Sequence, residues 1–311
     1  MKPLVSIVIP TFNREKYIEE CILSALNQSY DNTEVIVIDN NSTDSSHIII
    51  NRLRESFTFQ YIRNEENIGP VNNWIAGISQ AKGYYLKILF SDDVLFPNAV
   101  KDLVEAVENS KYPVGFAYGT ILTGNTLETS HIIYGNKRKT LDLYKYLNLL
   151  ITNSVPVSPG AVLMKRTDAY ESLTNRSGYI SNKEYENHGA GFDVYSLAYA
   201  LRDGNIALKI PNKSVFFRNH SESFTIGDYN NKIGRAYSDI IGKLIDENVS
   251  RTKSIVLISA HWIKYRVKKS ERLSLSDYLS LFGKYPGIFA KMTAFLMLLF
   301  IYIKQKVIRP F

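Results

Sequence analysis

Residues 5–13 read VSIVIPTFN, and this short stretch decides how the chain begins to fold. Its first five residues are mostly β-branched and Pro10 ends the run, which predicts a buried strand. Residues 14–28 then repeat apolar side chains at helical spacing and predict an amphipathic helix. The residues after the strand match neither G-x-G-x-x-G nor G-x-x-x-x-G-K-[ST]. Dinucleotide-binding and P-loop folds therefore lose their main support.

Strand and helix patterns continue to alternate through the first 110 residues. Further strands are predicted at residues 34–39, 57–62 and 84–90, and helices at residues 43–55, 69–81 and 97–109. This alternation is typical of βαβ units. It predicts an α/β fold with a mostly parallel central sheet flanked by helices. A last strand is expected near residues 215–217, and the chain turns helical after about residue 230.

The net charge of +7 is unevenly distributed along the 311 residues. Residues 251–311 contain 12 Lys and Arg against 2 acidic residues, whereas the first 250 residues contain 25 basic and 28 acidic ones. The basic excess accompanies the mostly apolar run 288–303, which at 16 residues is shorter than the ~20 needed to span a bilayer. Basic, apolar helices are typical of anionic membrane interfaces. We expect residues 251–311 to lie on an anionic membrane surface, and we expect no nucleic-acid partner.

Two alternatives remain for this basic segment, namely a short membrane insertion and a helix that packs on the rest of the chain or on a dimer partner. At the other end, the apolar stretch 4–9 is short and is not followed by a small-residue cleavage site, so no signal peptide is expected. Cys21 is the single cysteine, which excludes an intramolecular disulfide and fits a reducing compartment. Its helical spacing predicts a small core residue. These observations favour the cytoplasmic face of the cell membrane.

Polar residues follow three of the predicted strands. Thr11 and Asn13 follow the first strand, Asp39 ends the second, and Asp92-Asp93 follow the fourth. Ligands of open α/β sheets bind beyond these carboxyl ends. Adjacent carboxylates repel each other unless a cation neutralises them, and Mg²⁺ or Mn²⁺ takes oxygen ligands. The pair therefore predicts a metal-diphosphate site, with a helix cap by Asp92 as the alternative.

The chain resembles glycosyltransferase family 2, of GT-A fold, in the order and spacing of residues 5–13, 35–44, 67–69 and 91–93. The resemblance covers residues 4–225. Residues 73–77 and 85–89 further resemble bacterial O-antigen and capsule sugar transferases, including the abequosyltransferase-like group. The resemblance implies an inverting transfer of a sugar from a nucleotide-diphosphate donor to a hydroxyl of a lipid-linked or growing surface glycan. With the helical and then basic pattern after residue 230, the chain is expected to divide into a catalytic domain at residues 1–230 and a helical, basic-amphipathic extension at residues 231–311.

The resemblance also implies roles for individual residues. It places Pro10, Thr11, Asn13, Asp39, Asn67, Gly69, Lys87, Asp92 and Arg218 at the donor. It implies Mn²⁺ or Mg²⁺ held by Asp93 and His220. A carboxylate at Asp39 accepts a hydrogen bond from N3–H of uracil or thymine, which favours a UDP or dTDP donor.

Asp193 is the expected general base, since a carboxylate that opens a helix matches the family pattern. Glu184 and Glu186 are competitors for this role, and a plain helix cap is the structural alternative. Trp74 could stack on a sugar or anchor its helix. Two other functions stay open: a sugar-nucleotide pyrophosphorylase-like nucleotidyltransferase, which would require a phosphate loop that the first strand lacks, and a non-catalytic membrane-associated scaffold of the same fold.

Overall fold

Strand β1 (Val5–Thr11) runs through the sheet and is buried along its whole length. It belongs to a computed structural model that describes residues 2–134, 137–151, 153–175, 185–186, 188–220 and 230–250. β1 pairs in parallel with β2 (Thr33–Asp39) and β4 (Tyr85–Ile88), and β2 pairs in parallel with β3 (Gln60–Arg63). This half of the sheet confirms the βαβ arrangement expected from the alternating patterns.

The other half of the sheet is mixed. It contains β5 (Val94–Leu95), β6 (Val114–Gly124), β7 (His131–Ile132), β8 (Lys139–Leu141), β9 (Val162–Lys165) and β10 (Ile206–Arg218). The strand order is β3-β2-β1-β4-β9-β6-β10-β5. β6 and β10 are parallel, but β9 runs antiparallel to both of its neighbours, β4 and β6. The expectation of a mostly parallel sheet is corrected to a mixed one, because this reversed strand and the short strands β5, β7 and β8 add antiparallel pairs.

Helices flank the sheet where apolar side chains recur at helical spacing. They are α1 (Ile18–Leu26), α2 (Ser46–Arg54), α3 (Pro70–Gln80), α4 (Ala99–Glu108), α5 (Leu143–Ile151), α6 (Arg166–Thr174), α7 (Phe192–Ala200) and α8 (Asn230–Asn248). α1 buries Ile18, Cys21, Ile22 and Ala25, which confirms the core position expected for the cysteine. Full burial of one such aliphatic side chain contributes about 1.5–3 kcal/mol.

Helix α8 packs against α5 and α7. The buried residues described on this helix include Ala236, Ile240, Ile241, Leu244 and Ile245, and they belong to the same core as β1 and β2. The boundary at residue 230 stays a prediction. Residues 251–311, with the expected membrane segment and its alternatives, lie outside the described residues. Within the described ranges, no helix is both long and apolar enough to cross a bilayer.

Candidate active site

A cavity of about 1230 Å³ opens at the carboxyl ends of β1 and β4. Its wall includes Pro10, Thr11, Asn67, Gly69, Asp92, Asp93, Asp193 and Arg218, all of them residues singled out from the sequence. Chain segments that are far apart in sequence therefore meet at one edge of the sheet, as expected for an α/β ligand site.

Thr11 and Asp39 are register partners at the ends of β1 and β2. Thr11 lines the cavity, and its buried Oγ1 has no hydrogen-bond partner within the part of the chain that the structure describes. Asp39 is fully buried: Oδ1 accepts a hydrogen bond from the Ser42 amide at 2.9 Å, and Oδ2 accepts one from the Tyr61 hydroxyl at 3.0 Å. The structure thus brings Thr11 to the cavity, whereas Asp39 holds the following loop and is not part of the wall.

Asn13 and Lys87 do not line the cavity either. Asn13 joins two loops, because its Oδ1 accepts a hydrogen bond from the Thr43 amide at 2.8 Å. Lys87 is fully buried and donates to the carbonyl oxygens of Ile88, at 3.2 Å, and of Gly160. Burial lowers the pKa of Lys87 to about 7. Lys87 thereby connects β4 to the turn before β9. It does not line the cavity, where the sequence predicts that it contacts the sugar donor.

Asp92 and His220 meet at the edge of the cavity. His220 Nε2 lies 2.9 Å from Asp92 Oδ2, and its buried Nδ1 has no partner within the described ranges. The imidazole also packs against the ring of Tyr17, with a centroid distance of 4.6 Å. His220 is therefore placed as a neighbour of Asp92 and does not itself form the wall.

Two arginines add positive charge beside the carboxylates. Arg14 Nε lies 3.6 Å from Asp92 Oδ2, and Arg14 lines the cavity. Arg218 donates through its amide to Asp93 Oδ1 at 3.1 Å and through Nε to the carbonyl oxygen of Asp92 at 3.1 Å. Its guanidinium also pairs with Glu20 at 2.5 Å. Sequence reasoning assigned no role to Arg14, although it directly follows the first motif.

The two adjacent carboxyl groups have opposite pKa shifts. Burial favours the neutral form of Asp92, but the hydrogen bond from His220 and the charge of Arg14 outweigh it and lower its pKa. Burial and the charge of Asp92 raise the pKa of Asp93 well above its ordinary value. The described residues include no group of three His, Cys, Asp or Glu side chains arranged to hold a metal. The hydrogen bonds from Arg218 and His220 reach Asp93 Oδ1 and Asp92 Oδ2, which leaves the second oxygen of each carboxyl group for another ligand. Two carboxylates are enough for Mg²⁺ when substrate phosphates complete its ligands.

Asp193 is the second residue of α7 and lines the cavity. Its Oδ1 accepts hydrogen bonds from the amides of Gly191, at 2.9 Å, and Val194, at 2.7 Å. Its Oδ2 accepts one from the hydroxyl of Tyr237. Burial raises the pKa of Asp193 to about 7, although these hydrogen bonds act in the opposite direction. A carboxyl group that exchanges its proton near neutral pH suits general-base chemistry.

Other residues complete the wall around Asp193. Trp74 is buried at the cavity, and its ring lies 5.6 Å from that of Phe90. Glu186 and His188 also line the cavity, while Glu184 lies outside the described residues. Tyr237 was missed by sequence reasoning, because it comes from α8, in the part of the sequence read as an extension. No motif in that part signals a contact with Asp193.

Comparison with known proteins places this arrangement in context. The family model described as Glycosyl transferase family 2 matches residues 6–174. An uncharacterized glycosyltransferase of Haemophilus influenzae is 33% identical over 194 residues, which cover 59% of this chain and 56% of the relative. Abequosyltransferase RfbV of Salmonella typhimurium is 42% identical over 96 residues, which cover 30% of this chain and 29% of the relative. The matches thus span little more than half of one curated relative and under a third of the other.

A solved structure shares the fold. S. aureus TarS 1–349 in complex with UDP-GlcNAc has a TM-score of 0.66 and 18% sequence identity, covering 94% of this chain and 79% of that chain. At this identity the likeness concerns the α/β architecture. Together with the family match, it confirms the resemblance inferred from the sequence motifs.

Proposed function

Because the chain belongs to glycosyl transferase family 2, we propose that it moves a sugar from a nucleotide-diphosphate donor to a hydroxyl group of a glycan. One observation carries the proposal: Asp92-Asp93 and Asp193 line the same cavity at the carboxyl edge of the sheet. Such a cavity would bring a diphosphate bound at Asp92-Asp93 close to a base for the incoming hydroxyl. We further propose that the reaction inverts the configuration at the anomeric carbon, because one base that deprotonates the acceptor suits a single direct displacement.

The proposed donor is a uridine or thymidine diphosphate sugar. TarS was solved with UDP-GlcNAc, which supports a uridine donor by analogy of fold. Thr11 offers a contact for a polar part of the donor, because its Oγ1 lies at the cavity without a hydrogen-bond partner among the described residues. Asp39 is the register partner of Thr11 on β2. It would influence the position of the uracil or thymine through the loop that it holds by its hydrogen bond from Ser42.

The proposed base is Asp193. With a pKa of about 7 it is ionised in a large fraction of molecules at neutral pH, and it can take the proton of the acceptor hydroxyl as that oxygen attacks. The amides of Gly191 and Val194 fix the orientation of its carboxylate. Glu186 shares the cavity and is the competing candidate among the described residues.

A divalent ion, Mn²⁺ or Mg²⁺, is proposed at Asp92 and Asp93. The two adjacent carboxylates raise the free energy of the buried pair, and a cation would relieve that repulsion. When bound, the ion supplies Lewis-acid stabilisation of the departing diphosphate. Asp93 is the proposed direct ligand. His220, expected as a second ligand, contacts Asp92 and would orient it.

The acceptor is proposed to be a lipid-linked or growing surface glycan at the cytoplasmic face of a membrane. Residues 251–311 supply 12 basic residues for contact with anionic lipids. A flotation assay with vesicles containing anionic phospholipid tests this proposal. We expect the full chain to float with the vesicles and a chain ending at residue 250 to stay in solution. Equal flotation of both chains would refute the assignment.

Donor turnover is the experiment that tests the function as a whole. Release of nucleoside diphosphate is measured with a panel of nucleotide sugars and Mn²⁺. A nucleotidyltransferase would instead consume a sugar phosphate and a nucleoside triphosphate and release pyrophosphate. A non-catalytic scaffold would bind without turnover. The three functions therefore differ in the product detected.

A further inference from the structure

Helix α8 contacts the segment that carries Asp193 at several points. The Tyr237 hydroxyl donates to Asp193 Oδ2, and the Tyr185 hydroxyl donates to Asp239 Oδ2. Tyr185 and Asp193 lie on either side of residues 188–191, which belong to the cavity region. α8 therefore makes polar contacts with the residues on both sides of the segment 188–191, and its apolar face is buried in the core.

The packing between these contacts is close. Gly191 has φ +91, and a Cβ at this position would lie 2.9 Å from Ile240 Cγ1 and 3.5 Å from the carbonyl oxygen of Ala236. The absence of a side chain at Gly191 lets α8 approach the start of α7 directly. The distance between Tyr237 and the Asp193 carboxylate is therefore set by backbone packing as well as by the hydrogen bond itself.

At neutral pH the hydroxyl of Tyr237 acts as a hydrogen-bond donor to Asp193. Burial and the charge of Asp193 raise its pKa well above the ordinary value, so the phenol stays protonated and donates. Asp193 then receives three hydrogen bonds, two on Oδ1 and one on Oδ2. Hydrogen bonds to the ionised form favour it and oppose the effect of burial.

On this basis we infer that α8 is part of the catalytic apparatus, with Tyr237 as the positioning residue that orients the Asp193 carboxylate and keeps it ionised. The inference rests on the proposed function only in naming Asp193 as the base. It assigns a role to a helix beyond residue 174, where the family match ends.

Other titratable groups lie near Asp193 or line the same cavity, and the test must separate them from Tyr237. They are Tyr146 on α5, whose buried hydroxyl donates to the Pro156 carbonyl, and the cavity residues Tyr134, Glu186 and His188. Among the described residues, the Asp193 carboxylate accepts its hydrogen bonds from Gly191, Val194 and Tyr237. Replacing Tyr237 alone therefore changes the direct donor and leaves the other groups in place.

The experiment compares Tyr237→Phe with Tyr85→Phe in the full chain. Tyr85 is a matched control, because its hydroxyl also donates to a carboxylate, that of Glu108 at 2.6 Å, and neither residue lines the cavity. For each protein, the pH dependence of kcat/KM for transfer and the pKa of Asp193 are measured. The pKa comes from ¹³C-carboxyl NMR, with the resonance assigned by its loss in Asp193→Asn.

We expect Tyr237→Phe to raise the pKa of Asp193 and to move the acidic limb of the profile to higher pH by about one unit. Transfer at pH 6 should fall about tenfold, and donor affinity should not change. Tyr85→Phe should match the wild type in both measurements. An unchanged Asp193 pKa in Tyr237→Phe, or an equal shift in Tyr85→Phe, would overturn the inference. The NMR titration tests the role of Tyr237 even if the protein turns over no sugar donor. A lack of turnover would refute the proposed function but not the effect of Tyr237 on the pKa of Asp193.

Discussion

His220 Nε2 lies 2.9 Å from Asp92 Oδ2 and so joins the end of β10 to the loop after β4. Asp92 also has Arg14 at 3.6 Å, whereas among the described residues its neighbour Asp93 accepts a hydrogen bond from the amide of Arg218 alone. The hydrogen bond with His220 and the charge of Arg14 keep Asp92 ionised, and the charge of Asp92 makes ionisation of Asp93 more difficult. The two carboxylates consequently differ in what they can do, although they are adjacent in sequence.

Replacing Asp93 by Asn should stabilise the metal-free protein and abolish its metal response. The folded-state pKa of Asp93 is raised, so stability falls as pH increases from the unfolded-state pKa, about 4, through the folded-state value. Asp93→Asn removes this penalty, and its melting temperature at pH 8 should exceed that of the wild type without metal. Mn²⁺ should raise the melting temperature of the wild type but not that of Asp93→Asn. Asp31→Asn, at an exposed ion pair, is the control and should behave like the wild type.

Removing the imidazole of His220 should weaken Mn²⁺ binding. His220 favours the ionised form of Asp92, so its loss lets burial raise the pKa of that carboxyl. We expect His220→Ala to lower the affinity for Mn²⁺ in the presence of a nucleoside diphosphate by about 10–100-fold, as for other residues that orient ligands. Calorimetric titration measures this change. Unaltered Mn²⁺ affinity would show that the 2.9 Å contact has no part in the metal site.

Transfer should depend on the ionisation of Asp193. Because burial raises its pKa to about 7, kcat/KM should increase with pH up to about 7 and then level off. Asp193→Asn should lower transfer about 10²–10⁴-fold and leave donor affinity intact. Glu186→Gln provides the competing test. If Glu186→Gln loses transfer while Asp193→Asn retains it, the base has been misassigned.

The close approach of α8 to Gly191 should be measurable as stability. Gly191→Ala introduces both a strained φ of +91 and a Cβ 2.9 Å from Ile240 Cγ1. Gly204→Ala is the matched control, because Gly204 has φ +80 but no atom within 4 Å of the added Cβ. We expect about 1–2 kcal/mol of destabilisation for Gly204→Ala and a further 1–3 kcal/mol for Gly191→Ala in urea unfolding. Equal decreases in the free energy of unfolding would mean that the packing of α8 leaves room for a side chain at Gly191.

Local patterns were sufficient to predict the elements that begin the chain. β1, β2 and α1 follow from β-branched runs and from apolar side chains at helical spacing, which depend only on near neighbours. The reversed strand β9 and the 13-residue strand β10 depend on pairing with distant partners, which periodicity does not encode. The same limit explains why a parallel sheet was expected where the structure is mixed.

For the site, motifs placed residues at strand ends but did not determine which side chains face the cavity. Thr11 and Asp39 end neighbouring strands in the same register, and only Thr11 lines the cavity, because Ser42 and Tyr61 enclose Asp39. Lys87 turns into the core to reach the Gly160 carbonyl. Tyr237 lies on α8, outside every motif, and its contact with Asp193 arises only from the packing of α8 on α7.

The most direct test of the central claim is release of nucleoside diphosphate from a panel of nucleotide sugars. The wild type, Asp93→Asn and Asp31→Asn are compared with Mn²⁺ and with a chelator. We predict that the wild type and Asp31→Asn turn over at least one uridine or thymidine diphosphate sugar when Mn²⁺ is present. Release should fall about 100-fold or more with the chelator or in Asp93→Asn. No release from any nucleotide sugar, or equal release by Asp93→Asn, would contradict a transferase whose diphosphate is held at Asp92 and Asp93.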